Sequence, residues 1–323
     1  MRKGVNPEKY KEEKLQEFLH RIIVPVYIPN LDEPYYKNQL PVFKLFLKNL
    51  FSTINPLTTA VTLIDNACCP EIKSVILSYK IYIDKLIHNK ENKGKVFPVL
   101  QEARSVAEPF LTITDADVLF HEGWEFAVFK IFSGYLRAGV VAPLPSPALA
   151  FYENTSVFID NYFFGNMFYQ KSVADFDAEL YLQGMGNDSL LNRENRKHSW
   201  RERQYSIKNP SAIVGAGHFV ATYRSELFKG EENYPRIKFK NGLERKFIDS
   251  LSDKKGYYRL STLKTFAYHM GNNIDEHSLS IESTRASQVT IKHIQECLNS
   301  KHSNLPYSLR IFIFKLMKRL LRL

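Results

Sequence analysis

Two aspartates close an apolar run in Pro109-Phe110-Leu111-Thr112-Ile113-Thr114-Asp115-Ala116-Asp117. Leu111 and Ile113, set between threonines, read as a buried strand. A strand that ends in Asp-x-Asp delivers both carboxylates to one edge of a sheet. In an open α/β sheet that edge is where ligands bind. Carboxylates so spaced can hold a divalent cation, one directly and one through water or a ribose hydroxyl, and the cation can clamp a diphosphate. Taken alone, the same pair serves equally to cap a helix starting near His121.

Such a strand needs a sheet around it, and the preceding residues supply one. Arg21 to Tyr27 reads as a first buried strand, and Val42, Phe43, Phe46, Leu47, Leu50 and Phe51 recur at helical spacing between Lys37 and Ile54. A second strand, Thr59 to Ile64, closes with Asp65-Asn66. A third spans Asp84 to His88, and a helix from Lys95 to Ala107 leads into the strand ending at Asp115. Strand and helix alternate four times, which predicts a parallel sheet with crossover helices. A fifth strand fits Gly139 to Pro143. From Pro145 to Pro210 the pattern loosens into aromatics and a charged stretch, Asn192 to Arg203, which predicts an irregular binding loop or lid. Glycines interrupt the apolar run Ala212 to Ala221, a sign of close backbone approach. A helix from Glu244 to Lys254 precedes a strand near Tyr258-Arg259-Leu260.

The chain of 323 residues is long enough to bury a sizeable core, and its 44 Lys and Arg against 34 Asp and Glu suit an anionic partner. Its three cysteines, two of them adjacent at Cys68-Cys69, offer no disulfide framework or zinc spacing, which points to a reducing compartment. Met1 to His20 reads as a solvated helical extension without the apolar core of a secretory signal. No apolar run reaches the roughly 20 residues that span a bilayer. In residues 308–323, Arg310, Lys315, Lys318, Arg319 and Arg322 gather toward one helical side, opposite Leu, Ile, Phe and Met. That is the pattern of an amphipathic helix on an anionic membrane surface, with docking on the protein's own core as the other reading.

Together these residues resemble the GT-A glycosyltransferases, and most closely the family 2 inverting enzymes, over Arg21 to Gly271. The likeness lies in the order and spacing of four landmarks. Ile23-Val24-Pro25-Val26-Tyr27 is similar to the first strand of the family, whose end lies against the nucleotide base, which implies donor contacts for Pro25 and Tyr27. Asp65 falls where the family places an acid that hydrogen-bonds the base. Asn92-Lys93-Gly94 is similar to the Asn-basic-Gly turn, which implies a donor role for Lys93. Asp115-Ala116-Asp117 occupies the place of the Asp-x-Asp, implying that Asp115 binds the donor and Asp117 ligates the metal.

The second half of the chain carries further echoes. Gly215-Ala216-Gly217-His218 resembles the acceptor segment, implying Gly217 and His218 as acceptor residues. Gly242-Leu243-Glu244-Arg245, leading to Gly256-Tyr257, is similar to the helix that opens with Glu-Asp and closes with Gly-Tyr. Here the second acid is Arg245, which leaves Glu244 as the implied general base and Asp249 as a distant second. The Ala-Arg-Asn that commonly follows the Asn-basic-Gly turn is absent. His269 stands where several GT-A enzymes supply a histidine to the metal.

The resemblance implies an α/β GT-A domain, a Rossmann-like nucleotide-binding sheet with flanking helices, over residues 21–275. Residues 21–143 form its nucleotide-sugar half and 144–275 its acceptor half. Residues 1–20 are the helical extension, and 276–323 the helical membrane-surface segment. It further implies a nucleotide-sugar donor, UDP being the commonest, with Mn²⁺ or Mg²⁺ as cofactor. The acceptor is a glycan or lipid-linked molecule in polysaccharide or glycoconjugate synthesis, on the cytoplasmic face of a membrane. A non-catalytic sugar-nucleotide-binding scaffold, which Arg245 makes credible, is the first competing class. A nucleic-acid binder is the second, and the scattered basic residues and lack of a recognition motif weigh against it.

Overall fold

The computed structural model describes residues 3–11, 15–185, 201–208, 211–230, 233–281 and 287–321. Its strands are β1 (His20–Val26), β2 (Thr59–Asp65), β3 (Lys85–His88), β4 (Phe110–Thr114), β5 (Val118–Phe120), β6 (Ala138–Ala142), β7 (Met167–Gln170), β8 (Gln204–Ile207), β9 (Ala212–Val214), β10 (Val220–Arg224), β11 (Tyr258–Ser261) and β12 (Ala267–His269). Ten of them form one sheet in the order β3-β2-β1-β4-β10-β6-β11-β9-β8-β7, and β5 pairs with β12 in a separate ribbon. The first four are parallel, as the strand-helix alternation predicts. Beyond β4 the sheet turns mixed, because β10 runs antiparallel to both β4 and β6.

The sheet is covered by helices whose apolar stripes the sequence shows. In the helix Gln39–Thr53, Val42, Phe43, Phe46, Leu47 and Leu50 are buried. Each such side chain stabilises the packed state by roughly 1.5–3 kcal/mol relative to exposure. The helix Trp124–Gly134 follows β5 and is preceded by Gly123 in the left-handed region. Asp115 and Asp117 therefore cap no helix, and both carboxylates are left at the sheet edge.

Three expectations are corrected. The described part of the segment from Pro145 to Pro210 is not irregular, because it holds the helices Thr155–Asn161 and Asp175–Met185 together with β7 and β8. These elements are short, and too little of each lies on one face for periodicity to reveal them. Residues 1–20 contain a single 3-10 turn, Pro7–Tyr10, among their described members rather than a helix. Most of the charged stretch Asn192–Arg203, and Arg322 of the tail, lie outside the described residues.

The third correction concerns the C-terminal helix Tyr307–Leu321, which is present but docks on the domain through a face that includes Arg310. Arg310 is 1% exposed. Its guanidinium donates to Ser156 Oγ at 2.6 Å, the Asp253 carbonyl at 2.5 Å and the Lys254 carbonyl at 2.8 Å. The Asp253 carboxylate lies 3.3 Å away and also accepts from the amide and hydroxyl of Thr155. Charge alone placed Arg310 with the solvated basic residues, whereas a buried acid at its own position draws it inward. Among the described residues no helix is long and apolar enough to cross a membrane. The cysteines Cys68, Cys69 and Cys297 are all free and buried.

Arg310→Ala strands the buried Asp253 carboxylate and should destabilise the chain by about 3–5 kcal/mol. Urea unfolding of the full chain measures this, and a change below about 1 kcal/mol would contradict the anchoring role.

Candidate active site

Two strand pairings assemble the site. Antiparallel pairing of β10 with β4 ends where the Asp115 amide donates to the Phe219 carbonyl at 2.8 Å, which sets His218 beside the Asp-x-Asp. The β5–β12 ribbon pairs His269 with Val118, and the Met270 amide donates to the Asp117 carbonyl at 2.9 Å. This delivers His269 to Asp117 from a distant part of the chain.

Asp115, Asp117 and His269 each offer a ligand atom, and these atoms all lie within 4.8 Å of one another. His269 Nδ1 lies 3.0 Å from the Gly184 carbonyl, so the ring proton sits there and Nε2 turns to Asp117 Oδ1 at 3.4 Å. A Cβ on Gly184 would meet the His269 backbone nitrogen at 3.2 Å, so a glycine permits this approach. Burial opposes a charged His269 ring, but Asp117, the Gly184 carbonyl and Asp115 outweigh it and push its pKa up to about 9. Asp117 Oδ1 is buried and makes no well-formed hydrogen bond, with His269 Nε2 facing it at 3.4 Å. A buried carboxylate oxygen held only by so long a contact is under-satisfied, and a divalent cation is the kind of partner that completes it. The residues present thus fit the metal that the Asp-x-Asp implies.

These groups line a cavity of about 400 Å³. It is also lined by Pro25, Val26, Tyr27 and Ile28 at the end of β1, with Tyr35, Tyr36, Asn66, Asn92 and Gly94. Tyr36 stands edge-on to both Tyr27 and Tyr35, at centroid separations of 6.2 and 5.0 Å. Such a wall suits a planar base. Gly94 has φ +76°, and a Cβ there would lie 2.3 Å from the Lys238 carbonyl. Only glycine fits the turn under the segment that carries Phe239 to the cavity.

Pro25, Tyr27, Asp115, Asp117 and His269 therefore line one cavity. Asp65 does not join them: it is fully buried, accepts from the Cys68 amide at 2.7 Å, and pairs with His88 at 2.9 Å. Its neighbour Asn66 reaches the cavity instead. The Asn66 amide nitrogen donates to Asn92 Oδ1 and the Gly94 carbonyl, and its Oδ1 accepts from the Lys93 amide. Lys93 is held by its backbone, and the lysine that lines the cavity is Lys95.

Lys95 was not singled out from the sequence, although it directly follows the Asn-basic-Gly turn. Its ammonium lies 2.5 Å from Asp115 Oδ1 and 2.8 Å from Glu244 Oε1. Burial opposes its charge, and these two acids outweigh that and hold its pKa above the usual lysine range. Glu244 is thus brought to the site as an ion-pair partner. Gly217 and His218 stand outside the cavity wall and connect to it through Glu244, whose Oε2 is 3.5 Å from His218 Nε2. Arg245 turns away, donating from Nε to Glu153 at 2.6 Å.

No family model matches the chain, and no curated protein matches it. It is similar in structure to S. aureus TarS 1-349, at 12% identity and a TM-score of 0.46, covering 77% of this chain and 60% of that one. The same protein in complex with UDP-GlcNAc aligns at 13% identity and a TM-score of 0.47, over 93% of this chain and 72% of that one. The mannosyltransferase PcManGT from Pyrobaculum calidifontis, in complex with GDP-Man and Mn²⁺, aligns at 15% identity and a TM-score of 0.41, over 76% and 54%. The chain thus spans about 60% of the length of the first of these structures.

The fold is of the GT-A kind. Its own topology carries that statement, with four parallel strands, Asp-x-Asp at the end of β4, and a following antiparallel strand that brings the second half of the chain to the same edge.

Asp117→Asn should weaken Mn²⁺ binding by about 100-fold or more, since even residues that merely support a ligand cost 10–100-fold. Asp65→Asn should leave it unchanged. Electron paramagnetic resonance titration of free Mn²⁺ reads both, and equal losses in the two variants would refute the assignment.

Proposed function

We propose that the chain is a metal-dependent glycosyltransferase that moves a sugar from a nucleotide donor, with a UDP-sugar favoured, to a glycan or lipid-linked acceptor with inversion. One observation carries this: Asp115, Asp117 and His269 offer ligand atoms within 4.8 Å of one another on a cavity that Tyr27, Tyr35 and Tyr36 also line. Residues 21–143 then form the nucleotide-sugar half and 144–275 the acceptor half. Tyr27, Tyr35 and Tyr36 flank the base, with Asn66 and Asn92 as polar contacts beside it.

Asp115, Asp117 and His269 would hold Mn²⁺ or Mg²⁺, which when bound neutralises charge on the departing diphosphate. Lys95 adds a fixed positive charge at the same edge and holds Asp115 in place. On the acceptor side Glu244, His218 and Asp249 stand together, and the acceptor hydroxyl loses its proton there as its oxygen attacks the anomeric carbon. Surface polysaccharide or glycoconjugate synthesis at the inner face of a membrane is the setting that fits.

The membrane contact in this reading is a stripe on the helix Tyr307–Leu321. Leu309, Phe312, Leu316 and Leu320 are 41, 64, 46 and 71% exposed. They recur at helical spacing along a face away from the docked Arg310, Phe314 and Met317, with exposed Lys315 and Arg319 on one flank. An apolar stripe edged by cations suits an anionic bilayer surface.

A thermal-shift screen of nucleoside diphosphates and nucleotide sugars tests the site. With Mn²⁺, the right donor at a hundred times its Kd should stabilise the chain by about 2.7 kcal/mol, and chelator should abolish the shift. No shift with any donor would overturn the proposal, and a shift without turnover on any acceptor would favour a scaffold. For the tail, Phe312→Glu with Leu316→Glu should cut binding to phosphatidylglycerol vesicles at least about tenfold in co-sedimentation. Undiminished binding would remove the membrane role.

A further inference from the structure

The helix that opens at Glu244 lacks a second acid at position 245, and the geometry shows what stands in its place. Residues Arg245–Asp249 form a π-turn, in which the Ser250 amide reaches back to the Arg245 carbonyl. Such turns re-aim side chains and recur at functional sites. Here Arg245 leaves the site for Glu153, and the fully buried Asp249 faces it.

Asp249 is held from three directions. Arg259, also fully buried, donates from Nη2 to its Oδ1 at 3.1 Å and from Nη1 to its backbone carbonyl at 3.0 Å. Tyr152 donates its hydroxyl to Oδ2 at 2.9 Å. His218 Nδ1 lies 3.3 Å from the same Oδ2. Arg259 Nη2 also donates to the Ala216 carbonyl at 2.9 Å, so one guanidinium fixes both Asp249 and the backbone leading to His218. A carboxylate can only accept, so the Nδ1 proton of His218 points at Asp249, and in the neutral ring Nε2 carries the lone pair on the side of Glu244. The His218 side chain is 44% exposed, open to an acceptor and to solvent.

Glu244 is differently placed. Its Oε1 is taken by Lys95 at 2.8 Å, and its Oε2 faces His218 Nε2 at 3.5 Å. Each of its oxygens is already turned to a basic group. An imidazole backed by a buried acid, with a second acid near its other nitrogen, is arranged to receive a proton and to have the resulting charge stabilised.

We propose that His218, oriented by Asp249, is the general base of sugar transfer; this rests on the glycosyltransferase reading above. The acceptor oxygen forms its bond to the anomeric carbon and its proton passes to His218 Nε2. The bond from the anomeric carbon to the phosphate oxygen breaks, and its electron pair leaves on the nucleoside diphosphate. The imidazolium faces Asp249 and Glu244, and returns its proton to water. Asp249 is a positioning residue, and so is Arg259 behind it.

The charged groups that face His218 are Asp249, Glu244 and Lys95. Hydrogen bonding to Asp249 leads burial and the other charges, and their sum raises the pKa of His218 above its ordinary 6.5. Only the neutral ring can accept a proton. Activity governed by His218 is therefore lost as pH falls through an inflection above 6.5, and Asp249→Asn moves that inflection to lower pH.

The test uses the full chain, with Mn²⁺, the nucleotide sugar that shifts its melting temperature, and glycerol or water as acceptor, reading release of nucleoside diphosphate. His218→Gln should lower kcat by about 10²–10⁴-fold while keeping the Mn²⁺-dependent thermal shift. Glu244→Gln should lose less than His218→Gln and retain an inflection, moved to lower pH by less than in Asp249→Asn. Nitrogen-15 NMR of labelled histidine, which needs no turnover, should show His218 protonated at Nδ1, with a lower pKa in Asp249→Asn. Wild-type turnover with less than about tenfold loss in His218→Gln, or a neutral His218 protonated at Nε2, overturns this proposal and leaves the glycosyltransferase reading standing. No wild-type turnover with any nucleotide sugar removes both.

Discussion

The antiparallel pairing of β10 against β4 is the constraint on which the rest of the site depends. A parallel α/β sheet places its ligand groups at one edge, but all of those groups then come from one half of the chain. Reversing one central strand makes the loop before β10 arrive at the edge that β4 leaves. The hydrogen bond from the Asp115 amide to the Phe219 carbonyl closes that junction. The carboxylates that follow β4 and the residues that precede β10 are thereby brought to one edge by backbone pairing. Groups held by rigid elements in this way lose little to reorganisation.

The charges at this edge are balanced in a chain of alternating sign. Asp115, Lys95, Glu244, His218, Asp249 and Arg259 follow one another at ion-pair distances between 2.5 and 3.5 Å. The chain begins at a partly exposed aspartate and ends in a fully buried pair, Asp249 with Arg259. Burial pushes the Asp249 carboxyl up, yet Arg259, His218 and Tyr152 more than reverse this and hold it well below the carboxylate range. A paired, hydrogen-bonded charge of this kind tolerates burial that an isolated one would not.

Much of this was legible in the sequence because it has a period or a fixed order. The apolar spacing of Val42 to Phe51, the four strand-helix units and Asp115-Ala116-Asp117 at a strand end follow from local pattern alone. Other residues depend on partners that no local pattern displays. Asp65 and Asn66 are adjacent at a strand end, but successive side chains point to opposite faces, and the amide rather than the acid faces the turn at Asn92. Arg310 looked like one more surface cation, because Asp253 lies far away in sequence. Lys95 was passed over for Lys93, since a turn motif does not say which neighbouring side chain is free to extend. Asp249, the distant second to Glu244, lies against His218 where the π-turn between Arg245 and Ser250 departs from α-helical spacing.

Arg310 also sets a mechanical relation between the two ends of the molecule. The carbonyls it grips belong to Asp253 and Lys254, the last residues of the short helix Ser250–Lys254 that continues directly from Asp249. The tail helix and the acid behind His218 are therefore joined by one buried guanidinium and a single helical turn, with no loop between them to absorb displacement. Load applied to the tail is carried to Asp249 and the His218 ring against it as if along a rigid mount.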